Sequence, residues 1–262
     1  MIGAPPATAL LPCRVGCGTV RRVILYCHCA YADVIPATVK TAVRRALGRA
    51  AERTVAVSDL CRLAAQRDAR LAAWSGESDL TVVACYPRAV RVLFEQAGAP
   101  LPPGVMVLNM REDTPDVIAE QLGLQADAAE GEPLPVPPAA GEWVPWFPAI
   151  EAARCRNCRQ CLEFCVFGVY ELDGDGNVRV ADPAKCKNQC PACARMCPEG
   201  AIVFAKCTDP RLAGAEGAQG STAEDPGEDL DALIARRRAR AAAFRKARAE
   251  KATAAGDPEN TA

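Results

Sequence analysis

The sequence predicts an α/β unit built on a parallel sheet, then a small α+β unit organised around cysteine, then a charged tail. Three observations carry this. Between residues 21 and 111, short β-branched apolar runs alternate with amphipathic stretches, the pattern of strands and helices laid down in turn. Residues 151–207 hold nine of the 15 cysteines in closely spaced runs. Residues 236–251 carry eight basic side chains and one acidic on an Ala-rich background.

Residues 1–20 are broken by Pro and Gly and lack periodicity. The expected strands are 23–26, 54–57, 80–84 and 105–108, and the expected helices 37–51, 60–74 and 88–97. Together they define an α/β domain over 21–111. Residues 112–150 read as a linker: 112–142 contain eight acidic residues and no basic one, and 125–148 contain six prolines, which favours a semi-rigid extended segment. A short helix is expected at Thr114-Pro115, a good cap followed by Pro in the first helical position. Trp143, Trp146 and Phe147 are expected to pack this segment onto the unit at 151–207. Within that unit, 169–172 and 178–181 flank Asp173-Gly174-Asp175-Gly176-Asn177, a turn between two short strands. The tail, 208–262, is expected to be disordered over 211–229 and then a charged helix.

Fifteen cysteines against one histidine, His28, narrow the chemistry. No HExxH zinc site and no CxxCH haem attachment is possible. No Gly-x-Gly-x-x-Gly occurs, so neither a flavin nor a nicotinamide site is expected. MIGAPPATALLPC has no basic residue ahead of its apolar stretch, and no run approaches the roughly 18 apolar residues of a membrane span. The expectation is a cytoplasmic protein without a membrane span. Cysteines in a reducing compartment then point to metal or redox chemistry rather than disulfides. A net charge of −1 gives no reason to expect a nucleic-acid partner.

The first run, Cys155-x2-Cys158-x2-Cys161-x3-Cys165, and the second, Cys186-x3-Cys190-x2-Cys193-x3-Cys197-Pro198, resemble the duplicated motif of bacterial-type dicluster 2[4Fe-4S] ferredoxins over residues 151–206. In that pattern the fourth cysteine of each run serves the other cluster. A tight loop that caps three irons of a cubane leaves the fourth to a cysteine from elsewhere. Cluster one would be held by Cys155, Cys158, Cys161 and Cys197, and cluster two by Cys165, Cys186, Cys190 and Cys193. Two departures stand out: Val166 replaces the Pro that often follows the fourth cysteine, and Cys186 lies one residue further from Cys190 than usual. Zinc sites are the competitor, but they use paired CxxC units with longer spacers, often with histidine. A thioredoxin-like motif would have to follow a strand in a βαβ unit.

In the α/β unit, Cys27 and Cys29 follow the first expected strand, Cys61 lies four residues past the second, and Cys85 follows the third directly. In a parallel sheet these points share the carboxyl edge, where α/β proteins place ligands. Four thiolates there could hold a third cluster, or the thiols could pack as small apolar side chains. The stretches Ile24-Leu-Tyr-Cys27-His28-Cys29, Val34-Ile-Pro36, Leu60-Cys61, Val82-Val83-Ala84-Cys85-Tyr-Pro87-Arg88 and Leu93-Phe94 resemble the N-terminal domain of the heterodisulfide reductase A family over about 21–95. That resemblance implies a third [4Fe-4S] cluster on Cys27, Cys29, Cys61 and Cys85. Ala30, Tyr86 and Val90 depart from the family pattern, and the flavin domain that follows in the family is absent.

Cys13, Cys17 and Cys207 are left without a role, and His28 is expected to hydrogen-bond locally. With no nucleophile–base pair and no phosphate loop, the expected function is iron–sulfur electron transfer to a partner oxidoreductase, such as a flavoprotein or dehydrogenase subunit. The chain would be an electron-carrying subunit rather than an enzyme with its own substrate site. The alternative is a regulatory or assembly protein whose clusters order the fold without turnover. Two oxidised clusters at about −2 each would bring the holoprotein to about −5, and three to about −7.

Overall fold

The computed structural model describes residues 22–124 and 132–215, with Ala235, Arg238, Ala239 and Ala242 of the tail. Cys13, Cys17, the N-terminal segment and nearly all of the expected charged helix lie outside these residues.

The first unit is the parallel α/β sheet that the sequence predicts. Its strands are β1 (Val23–Cys27), β2 (Thr54–Val57), β3 (Leu80–Ala84) and β4 (Met106–Asn109), in the order β2-β1-β3-β4 with every pairing parallel. Ile24, Leu25, Tyr26, Val82 and Val83 have no accessible surface, as central strands covered on both faces require. The helices that cover them are α1 (Ala37–Gly48), α2 (Leu60–Ala65), α3 (Arg70–Ser75), α4 (Pro87–Gln96) and α5 (Pro115–Gln121). Thr114 caps α5 by accepting from the Val117 amide, and Pro115 opens it, as expected.

The single helix expected over 60–74 is two. Arg67 takes a left-handed φ of 50°, and the amides of Arg67 and Asp68 turn back to the Ala64 and Leu63 carbonyls. This is the helix-ending arrangement usually built with glycine. The Asp68 carboxylate then accepts from the Arg70 amide and starts α3.

The second unit is assembled from short pieces: β5 (Ala149–Ile150), α6 (Gln160–Phe164), β6 (Tyr170–Leu172), β7 (Val178–Val180), α7 (Ala192–Met196), β8 (Ile202–Val203) and α8 (Pro210–Ala213). β5 pairs antiparallel with β8, and β6 with β7. The β6–β7 turn is closed by the Asp173 carboxylate, which accepts from the Asp175 and Asn177 amides. α8 runs into the stretch expected to be disordered, 211–229, and buries Ala213 completely.

The two units share one hydrophobic core. Arg88 on α4 pairs with Glu151 at 2.7 Å and donates to the Gly200 carbonyl. Gly214, at φ +98°, lies so close that a Cβ there would stand 3.0 Å from the Ala89 amide nitrogen of α4. Residues 132–148 form neither helix nor strand but are pinned down. Leu134 exchanges two hydrogen bonds with Arg44. Trp143 is held by the first unit: the Arg62 guanidinium stacks on Trp143 and Tyr31 and donates to the Trp143 carbonyl at 2.9 Å. Trp146 does face the second unit, with its ring centroid 5.3 Å from that of Phe204. Among the described residues, no helix is long and apolar enough to cross a membrane.

Candidate metal centres

All four cysteines of the first unit gather at the carboxyl edge of the sheet. Cys27 ends β1; Cys29 follows at a left-handed φ of 52°, which turns the chain sharply as it leaves the sheet. Cys61 sits in the first turn of α2, and Cys85 directly follows β3. With the order β2-β1-β3-β4, this edge includes the crevice between β1 and β3 where the winding direction reverses, the usual ligand position of such sheets. Each of the four is at most 9% exposed. Burial pushes every one of these thiols up, Cys85 to about 12. Proximity adds to it: Cys29 and Cys85 both raise Cys27 and Cys61, and Cys29 raises Cys85. The Leu60 amide at the start of α2 donates to Cys27 Sγ at 3.3 Å.

Two charged side chains occupy the same place and were not legible in the sequence as part of it. Asp59 caps α2 by accepting from the Arg62 amide at 3.0 Å. Its other carboxylate oxygen accepts from Lys206 Nζ at 2.5 Å, and Lys206 Nζ lies 3.7 Å from Cys29 Sγ. The side chains of Lys206 and Asp59 are 2% and 0% exposed. Burial opposes the Lys206 ammonium, but Cys61, Cys29 and Asp59 outweigh it and hold its pKa well above the ordinary value. Asp59 carried a signal, since a polar side chain immediately before an amphipathic run is a cap. Lys206 carried none, because its place is set by the docking of a unit distant in sequence.

The turn that brings Lys206 in is held at several points. Arg111 stacks on Tyr86 at 4.6 Å and donates to the Cys207 carbonyl at 3.0 Å. Cys207 is thereby a buried member of this turn. His28 does hydrogen-bond locally: its Nδ1 lies 3.2 Å from the Tyr26 hydroxyl. Lys40 Nζ donates to the Cys29 carbonyl at 3.0 Å.

In the second unit, cysteines from the two runs intermingle. Cys186 and Cys193 are each pushed to about 12, by burial first and then by Cys165 and Cys190 beside them; Cys193 also acts on Cys186. Cys165 of the first run thus stands with Cys186, Cys190 and Cys193 of the second. These four share the wall of a cavity of about 560 Å³, otherwise lined mainly by apolar side chains such as Phe164, Phe167 and Met196. The Tyr170 hydroxyl, buried at the start of β6, donates to Cys193 Sγ at 3.1 Å.

The other set is more open. Cys161 is likewise raised to about 12, by burial and then by Cys193, Cys197 and Cys155. Its proximity to Cys193 makes the two sets neighbours. The Ala201 amide donates to Cys197 Sγ at 3.3 Å, and Cys158 is exposed on the loop before α6. Asn157, Arg159 and Gln189 have φ of 56°, 64° and 59°. With Cys29, four of the five left-handed non-glycine residues among those described therefore lie in cysteine loops, where backbone strain of this kind concentrates at functional sites. Sequence spacing alone does not reveal them.

Among the described residues, no three His, Cys, Asp or Glu side chains converge on a point tightly enough for a single metal ion. A [4Fe-4S] cubane is held by four cysteine thiolates, one on each iron. The cavity walled by Cys165, Cys186, Cys190 and Cys193, and the N–H and O–H donors aimed at cysteine sulfur, fit that kind of group. Comparison with protein-family models, curated proteins and solved structures finds no match for this chain.

Proposed function

We propose that this chain is an iron–sulfur electron-transfer protein, with a ferredoxin-type second unit holding two [4Fe-4S] clusters and the α/β unit holding a third. One observation supports this above the rest. Cysteines far apart in sequence act on one another: Cys165 and Cys190 on Cys186 and Cys193, and Cys193, Cys197 and Cys155 on Cys161, a mixing of the two runs that a crossed ferredoxin-type ligation would need. Cys158, on its exposed loop, would complete the first group. Cys27, Cys29, Cys61 and Cys85 would hold the third cluster.

Clusters of this type take up and return single electrons at a potential set by charge, hydrogen bonds to sulfur and exposure. The residues of the chain supply those settings. Tyr170, Leu60, Ala201 and Lys206 provide the donors to sulfur, and Phe164, Phe167 and Met196 give the second group a largely apolar wall. The exposed loop at Cys158 would give a docked partner access to the first group. Three oxidised clusters on a chain of net charge −1 give a holoprotein near −7. A flavoprotein or dehydrogenase subunit with a basic docking face is therefore the partner class, and its association would weaken with salt.

The test uses the full chain purified without oxygen, reduced chemically and mixed with a one-electron acceptor in a stopped-flow instrument. The reading predicts repeated reduction and reoxidation with the iron retained. A chain that binds a partner in a redox-dependent way but passes no electrons would overturn it in favour of a regulatory role.

A further inference from the structure

Among the described residues, the buried Asp59–Lys206 pair has no counterpart at the other two cysteine groups, where the donors to sulfur are neutral. It joins the units: Asp59 belongs to the cap of the helix that carries Cys61, and Lys206 follows β8. A buried ammonium forfeits its hydration, so its position against Cys29 Sγ rather than in solvent calls for a compensating anion. Asp59 is one such anion. Thiolates ligating a cluster of net negative charge are a second.

Resting on the reading that Cys27, Cys29, Cys61 and Cys85 hold a cluster, we propose that Lys206 is the positioning residue that raises this cluster's reduction potential. It acts from the second unit, so the site is complete only when the two units are docked. Reduction adds negative charge at the sulfurs, and a fixed cation 3.7 Å from Cys29 Sγ favours the reduced form. Asp59 acts with the opposite sign. The turn that delivers Lys206 is anchored by Arg111 on one side and by the Phe204 carbonyl, which accepts from the Cys207 amide, on the other. The same segment begins at Cys197, a ligand of the first group. A change in docking would therefore reach both groups.

Removing Lys206 alone would strand Asp59 as an uncompensated buried charge, which threatens folding. The informative background is Asp59→Asn, which keeps an acceptor for the Arg62 amide. The full chain is purified anaerobically as wild type, Asp59→Asn, and the double variant Asp59→Asn with Lys206→Met, and each is titrated by EPR at controlled potential. A Cys61→Ala chain identifies which signal belongs to the third cluster.

In Asp59→Asn that signal is expected to become easier to reduce. In the double variant it is expected to be about tenfold harder to reduce than in Asp59→Asn, equivalent to about 59 mV for one electron. The other two signals should stay in place, and Lys206→Arg should hold the wild-type position. Unmoved potentials with about twelve irons in every chain would overturn the inference while leaving the third cluster standing. Loss of four irons from the double variant alone would overturn it too, by making the pair purely structural. A wild-type chain with only eight irons would remove the third site itself.

Discussion

Tyr170 and Cys61 are the two side chains whose replacement separates the sites most cleanly. Tyr170→Phe deletes only the hydroxyl that donates to Cys193 Sγ and keeps the buried ring. A hydrogen bond to a thiolate favours the reduced, more negative state. Its loss should lower the potential of the second cluster by on the order of 40 mV, from about 1 kcal/mol of differential bonding, without changing the iron content. A potentiometric titration that leaves all signals in place would refute the donor role of Tyr170. Cys61→Ala should reduce the iron count from about twelve to about eight, and the ferredoxin-type signals should survive. Among single residues, the meeting of Cys27, Cys29, Cys61 and Cys85 at one sheet edge was legible because each follows a strand visible in the sequence. Tyr170 and Lys206 were not, because hydrogen bonds to sulfur come from residues placed by tertiary packing.

Elements were legible where one local force dominates. The four parallel strands follow from β-branched runs and shift by a residue at most: the run at 105–108 becomes Met106–Asn109, and the first strand extends to Cys27. The break between α2 and α3 leaves no signal in the sequence because Arg67, not glycine, takes the left-handed position. The segment 132–148 reads as a linker by composition, yet it is strapped to the first unit. Side chains far away in sequence, Arg44 and Arg62, hold its carbonyls, and acceptors of that kind leave no trace in composition. Gly48 tests this docking. At the end of a helix, Gly→Ala ordinarily gains up to about 1 kcal/mol. Here a Cβ would run into the Glu132 carbonyl oxygen. Gly48→Ala should therefore destabilise the protein by about 1–3 kcal/mol, seen as a lower urea midpoint; a raised midpoint would show that 132–134 does not pack on α1.

At the scale of the whole molecule, two units with very different means of support share one core. The sheet buries strands on both faces, whereas α6 buries no residue and α7 buries only Cys193 and Ala194. Elements so short cannot hold themselves together in water, and on the proposed reading the clusters would supply much of the order of the second unit. Stripping iron with an oxidant and a chelator should expose residues 151–200 to limited proteolysis while β1–β4 stay protected. Uniform protection after iron removal would refute that dependence. In the sequence the two units stand apart, separated by a linker. Their fusion through Arg88–Glu151 and Lys206–Asp59 joins residues roughly 60 to 150 positions apart, beyond the reach of any local pattern.

Iron and acid-labile sulfide counted on the anaerobically purified full chain, with EPR of the reduced sample, test the cluster assignment most directly. Three four-iron clusters predict about twelve irons and about twelve sulfides per chain, with signals that appear on reduction. Stoichiometric zinc without sulfide, in a chain that is folded and silent on reduction, would contradict it.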